Sequence, residues 1–219
     1  MIKVREIYVS WRSGDGSRRK LVGVLKRSAN KGITFQYLSE DGKEAEKEGF
    51  EGYSGFPLDY SAIYKERDLD IFSLRLVPLE RKESSKILHF WEAEGVTDKF
   101  ELLALTQGLL PTDNYEFLGL FYPKKGFKFV SDIAGLSHFK IESGLIKVGD
   151  VLDYKIESHK HAFKKKAVKL IWQTTEIGYI KNVHNNIFLE SNKKLNVSVK
   201  QIEENGIVKN IFITIDSTF

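Results

Sequence analysis

Six short runs of alternating apolar and polar residues crowd into residues 127–215, and their close spacing constrains the fold more than any other feature of the sequence. The runs fall at 127–135, 151–157, 167–172, 176–180, 195–202 and 207–215. A period of two marks half-buried strands. Strands this short cannot bury both faces in an open sheet, so closure into a small β-barrel is the expected architecture. Asn205-Gly206 supplies the left-handed backbone that a tight hairpin needs between the last two runs.

The residues before this β-rich region read differently. Runs at 7–11, 21–26 and 33–38 are rich in β-branched and aromatic residues, and the turn residues at 13–17 and 30–32 join them into a β-meander. A charged helical segment covers 40–49, and Gly49, Gly52, Gly55 and Pro57 then predict a loop. Between 69 and 104, Leu69, Phe72, Leu76, Ile87, Phe90, Trp91, Phe100, Leu103 and Ala104 recur at helical spacing, which predicts two or three helices over one face of the meander. Thr97-Asp98 begins the last helix, Glu101 lies just inside it, and Gly108 ends it. Trp11, Trp91 and Trp172 are expected in cores. Arg18-Arg19-Lys20 is expected to face solvent beside the Gly14-Asp15-Gly16 turn. Pro123-Lys124-Lys125-Gly126 reads as a linker, dividing an α+β domain at 1–123 from an all-β domain at 124–219.

The charge divides at the same place. Residues 1–123 carry 18 basic and 20 acidic side chains, whereas residues 124–219 carry 16 lysines against 10 acids, a net of +6. A basic domain following an acidic one points to an anionic partner for the second. The chain has no cysteine, which excludes disulfides, thiolate metal sites and cysteine nucleophiles. The charged opening Met1-Ile2-Lys3-Val4-Arg5-Glu6 does not resemble a signal peptide, no run has spanning length, and a reducing cytoplasm is the expected compartment. Asp98, Glu101, Asp113 and Glu116 have no matching base, nucleophile or ligand spacing, so no enzyme activity and no cofactor are expected.

Three stretches of the second region resemble the HIRAN domain in order and spacing. They are Ile133-Ala134-Gly135-Leu136-Ser137-His138-Phe139, then the segments 145–157, with Gly149-Asp150-Val151-Leu152, and 162–170, with Phe163, and then 177–185, opening on Ile177-Gly178-Tyr179-Ile180. The resemblance implies an OB-like or SH3-like small barrel that engages single-stranded DNA and captures 3′ ends. Ser137 and His138 stand where the family has arginine and tyrosine, and Phe163 stands where it has tyrosine. Lys164 replaces an aspartate that could accept from a 3′-hydroxyl. A donor-only ammonium there favours phosphate over hydroxyl. The first region is similar to the N-terminal subdomain of HipA-like proteins at Val22-Gly23-Val24-Leu25, Phe56-Pro57-Leu58, Phe72-Ser73-Leu74-Arg75 and the stretches 33–37, 102–108 and 112–117. That subdomain carries no kinase residues, and the chain ends before a kinase core could follow, so no phosphoryl transfer is expected.

The expected nucleic-acid-binding residues are therefore Ser137, His138, Phe139, Lys155, Lys160, His161, Phe163, Lys164, Lys165, Lys166, Tyr179, Lys181 and His184. Lysines track phosphates while an aromatic ring stacks a base. The bland alternative makes Lys164–Lys166 a solvated hairpin tip and Phe163 core. His159 and His161 share a side of their strand but lack a third ligand nearby, so no metal is expected. His184 and Asn185 begin a short helix whose amides could face a phosphate, or Asn182 or Asn185 merely caps it. The predicted function is that of a non-catalytic DNA-binding accessory protein, with a possible protein partner for the first domain and no membrane contact. The rival reading is a protein adaptor or neutraliser in a toxin–antitoxin-like or phage-defence setting.

Overall fold

The computed structural model describes residues 4–66, 70–80, 84–110, 113–139 and 141–217. The chain divides into two compact units, Met1–Leu120 and Phe121–Phe219. Both are built from small antiparallel sheets with a few helices.

In the first unit, β1 (Glu6–Trp11), β2 (Lys20–Ser28) and β3 (Gly32–Tyr37) form the expected meander, which β4 (Tyr64–Glu66) extends. A fifth strand, β5 (Tyr115–Gly119), pairs with the other side of β1, so the sheet order is β4-β3-β2-β1-β5. Val9 opposes Gly23 and Phe117, Ile7 opposes Leu25, and Leu25 opposes Phe35, which puts these side chains on one buried face. Each such fully buried aliphatic or aromatic side chain contributes roughly 1.5–3 kcal/mol. Gly23 is required by close packing, since a Cβ there would lie 2.5 Å from the Phe35 ring. The Tyr37 hydroxyl donates to the Phe56 carbonyl (2.6 Å) and accepts from the Tyr53 amide (2.7 Å), tying the glycine-rich loop to the sheet. Arg75 is buried, donates to the Tyr53 hydroxyl (2.6 Å) and the Gly108 carbonyl (2.8 Å), and pairs with Asp113.

The helices of this unit are α1 (Ser39–Glu46), α2 (Ser84–Phe90) and α3 (Lys99–Thr106), with a 3-10 turn η1 (Ser73–Arg75). Asp98 caps α3 as its spacing predicts, accepting from the Glu101 amide at 2.9 Å. The helix ends at Thr106, where its C-cap Gln107 and then Gly108 both adopt left-handed conformations with φ of 58° and 51°. Of the remaining helical spacing, Phe72 and Leu76 flank only the 3-10 turn, Ile87 is exposed, and Leu69 lies outside the described residues. Lys20 does not face solvent as expected. It is buried and its ammonium lies 2.5 Å from Glu48, while Arg19 pairs with Glu116 at 2.8 Å.

In the second unit, β6 (Lys128–Asp132), β10 (Asn196–Glu204) and β11 (Val208–Asp216) form one sheet in the order β10-β11-β6. The strands β7 (Asp153–Ser158), β8 (Lys166–Trp172) and β9 (Thr175–Tyr179) form another in that order. The six runs read from the sequence thus all become strands, and Asn205-Gly206 lies in the β10–β11 turn, with Gly206 at φ of 71°. The single barrel is not realised as a closed ring among the described residues. Among the described residues the strand pairing between the sheets is limited to isolated bridges, Ala134 with Tyr179 and Val151 with Ser198, the second joined by a bond from the Gly149 amide to the Val199 carbonyl at 2.8 Å. Gly135 and Gly149, beside these bridges, have φ of 78° and 92°, which ends the extended backbone that a longer ladder would need. Val130, Val168, Leu170, Ile177, Ile213 and Ile215 are among the buried core, and α5 (Asn185–Leu189) buries Ile187 and Phe188. The short helix α4 (Leu136–Phe139) follows β6, and a 3-10 turn η2 (Phe163–Lys165) precedes β8.

Candidate nucleic-acid interface

Side chains alternate across a strand, so residues paired directly across β7, β8 and β9 share a face. Tyr154 opposes Leu170, which opposes Gly178, and this row turns inward. The next row, Lys155, Lys169 and Tyr179, lies on the outer face. Gly178 makes that placement possible: its φ is 146°, and a Cβ would lie 2.3 Å from Ile133 Cγ2 and 2.8 Å from the Ala134 carbonyl oxygen. The backbones therefore approach closely enough for Ala134 and Tyr179 to exchange two hydrogen bonds, at 2.8 and 2.9 Å.

That bridge carries α4 to the edge of the same face. Phe139 meets the Tyr179 ring at a centroid distance of 5.8 Å and 62°, while Ser137 and His138 stay exposed. The His159 ring lies 6.5 Å from Tyr179 and 6.2 Å from His161. Lys169 places its ammonium 5.6 Å from the centre of the Tyr179 ring. Residues from three separate stretches of sequence thus form one aromatic and cationic surface. No group of three or more His, Cys, Asp or Glu side chains able to hold a metal occurs among the described residues.

Glu157 joins this surface although it is acidic. One of its oxygens accepts from the Tyr179 hydroxyl at 3.0 Å and the other lies 3.1 Å from Lys169, which also pairs with Glu176 at 3.2 Å. Partial burial works against the charged form of Glu157, but the hydrogen bonds from Lys169 and Tyr179 outweigh it and hold the carboxyl below its ordinary range. The same bonds to Glu157 and Glu176 raise Lys169, which stays an ammonium, and burial followed by the bond to Glu157 raises the Tyr179 phenol.

The basic loop is closed by its own backbone. The Lys165 amide donates to the Ala162 carbonyl (2.7 Å) and the His159 amide to the Lys165 carbonyl (3.0 Å). Lys164 and Lys165 are both left-handed, with φ of 54° and 55°, an unfavourable conformation for side chains with a Cβ. The Phe163 amide donates to Asn182 Oδ1, and Phe163 is half-buried, between the stacking and the core readings of its ring. Lys164 pairs with Glu190 at 2.5 Å, and Lys166 donates to Ser158 at 3.3 Å. Lys160, His161 and Lys165 are exposed, and neither lysine has an ion pair among the described residues.

Two expected site residues are not on the surface. Lys181 is buried with its ammonium 2.5 Å from Asp132. His184 is fully buried at the start of α5, where Ser131 Oγ and His184 Nδ1 lie 2.8 Å apart, so it presents nothing to a phosphate. Asn185 is buried too, and its amide group donates to the Lys166 carbonyl at 3.0 Å, steadying the basic loop. Lys169 of β8 is not among the residues expected from the sequence, and neither are Glu157 and His159. For the latter two, alternation with Lys155 along β7 and beyond was the available signal. No protein-family model, curated protein or solved structure matches this chain. No described helix is long and apolar enough to cross a membrane.

Proposed function

We propose that the second unit is a HIRAN-like, barrel-related module that binds single-stranded DNA or DNA ends, without catalysis, across the outer face of β7, β8 and β9. The observation that carries this reading is the meeting of Phe139, Tyr179 and His159 on one face beside Lys155 and Lys169. An aromatic platform accepts any base, at about 1–3 kcal/mol per stacked base, and cations beside it follow the backbone. All 16 basic side chains of this unit are lysines, point charges suited to phosphate rather than to bidentate base reading.

The test is fluorescence anisotropy on labelled single strands ending in a 3′-hydroxyl, a 3′-phosphate or a blocked terminus, with duplex alongside. If Lys155, Lys160 and Lys165 each neutralise a phosphate, log affinity falls with log salt at a slope of about −2, so affinity drops about twentyfold between 50 and 200 mM salt. Tyr179→Ala is expected to weaken binding roughly tenfold. Lys160→Glu with Lys165→Glu, both on exposed side chains, is expected to weaken binding and flatten the salt dependence. Absence of single-strand binding at low salt, or binding indifferent to all three substitutions, refutes the proposal.

A further inference from the structure

We infer that Glu157 reads a base on this face and selects guanine within the bound single strand, an inference that rests on the binding reading above. A carboxylate among phosphate-binding lysines opposes the DNA backbone by simple Coulomb repulsion. Satisfying Lys169 does not require it, because Lys169 has a second carboxylate partner in Glu176 at 3.2 Å. Yet Glu157 sits at the rim of the Tyr179 ring, its oxygens fixed by the phenol at 3.0 Å and by Lys169 at 3.1 Å. Each carboxylate oxygen has two acceptor sites, so each retains one for a ligand.

A base stacked against Tyr179 brings its Watson–Crick edge towards that carboxylate, and single-stranded bases leave this edge free. A carboxylate only accepts. Guanine offers two adjacent donors on that edge, N1–H and the N2 amine, which match two carboxylate oxygens. Cytosine and adenine place a ring acceptor beside their amine, and thymine flanks its one donor with two carbonyls. Each of these sets a lone pair against the carboxylate, so guanine is the base that fits without repulsion.

The experiment measures binding of the full chain to labelled oligothymidylate 12-mers carrying one central dG, dA, dC or deoxyinosine; a single dG avoids quadruplex formation. The dG strand is expected to bind about tenfold more tightly than unsubstituted oligothymidylate. Deoxyinosine, which keeps N1–H and lacks the N2 amine, falls between the two. Glu157→Gln is expected to bring the dG-to-dT ratio close to one whatever its effect on overall affinity, whereas a residue that only orients Lys169 would change all strands together. Equal binding of every wild-type strand, or a ratio unchanged in Glu157→Gln, overturns the guanine inference and leaves single-strand binding standing. If no strand binds at low salt, both fail.

Discussion

Acidification is expected to weaken the second unit through one buried imidazole. His184 is fully buried, with ring centroids 5.4 Å from Phe121 and 5.1 Å from Phe129, and burial together with nearby Lys181 pushes its pKa down to about 3. The groups around it are Ser131, the Lys181–Asp132 pair and the buried amides of Asn185 and Asn186. In the unfolded chain a histidine takes a proton near pH 6.5. Between pH 7.5 and 5.0 the unfolded state therefore gains a proton that the folded state refuses. The sign follows: stability is complete above about pH 6.5 and is lost as pH falls towards the folded value. At pH 5.0 the loss is about 2 kcal/mol, a figure insensitive to the folded value as long as that stays below about 4. For a domain stable by about 5–15 kcal/mol this is a measurable share, and most carboxylates titrate below the window. Urea unfolding followed on the methyl resonances of the buried Ile213 and Ile215, at pH 7.5, 6.0 and 5.0, reports the second unit directly. His184→Asn keeps a partner for Ser131 and cannot titrate, so it should start less stable and lose the part of the slope due to His184. Equal slopes in wild type and His184→Asn would refute the reasoning.

Two stability predictions test the local geometry. Gly178→Ala forces a Cβ to within 2.3 Å of Ile133 and 2.8 Å of the Ala134 carbonyl, at a φ of 146°. A cost of about 3 kcal/mol or more is expected, lowering the second unit's Tm by more than about 10 °C in differential scanning calorimetry; a shift within about 3 °C contradicts the close approach. Asp98→Ala removes the cap on the Glu101 amide and the 2.6 Å pair with Arg27, which is expected to cost about 1 kcal/mol in urea unfolding of the first unit. Asp98→Asn keeps the cap and should recover most of that loss, and equal losses in the two variants would assign the effect to charge instead.

Much of the fold was legible because its signals are local. Period-two runs gave the β1–β3 meander and all six strands of the second unit, and Asp98 with Glu101 marked the start of α3 through a contact three residues apart. What escaped depends on distant partners. β5 lies about a hundred residues from β1 in sequence, yet it makes β1 an interior strand through the pairs Val9–Phe117 and Trp11–Tyr115. Lys20 looks like part of a solvated basic run and is buried because Glu48, from beyond α1, reaches it. The barrel expectation reached the right strands but not their joints, since left-handed glycines flank the isolated bridges that pair the two sheets among the described residues.

The candidate site shows why a list of side-chain types is weaker than a strand register. A positive count favours Lys181 and Lys164, but one is paired with Asp132 beneath the surface and the other with Glu190. The same count discards Glu157 for its sign. Cross-strand register reverses that judgement: Lys155, Lys169 and Tyr179 share one row, and Glu157, two residues along β7, shares their face and bonds the last two. Alternation along β7 predicts that Lys155 and Glu157 project together, and it needs only the β8 and β9 pairings to bring in Tyr179. Those pairings turn on Leu170 and Ile171, where the β8–β9 register shifts and changes which β9 residues share the outer face. The surface on which binding and guanine selection are proposed is therefore set by a bulge, which a period-two pattern in the sequence does not reveal.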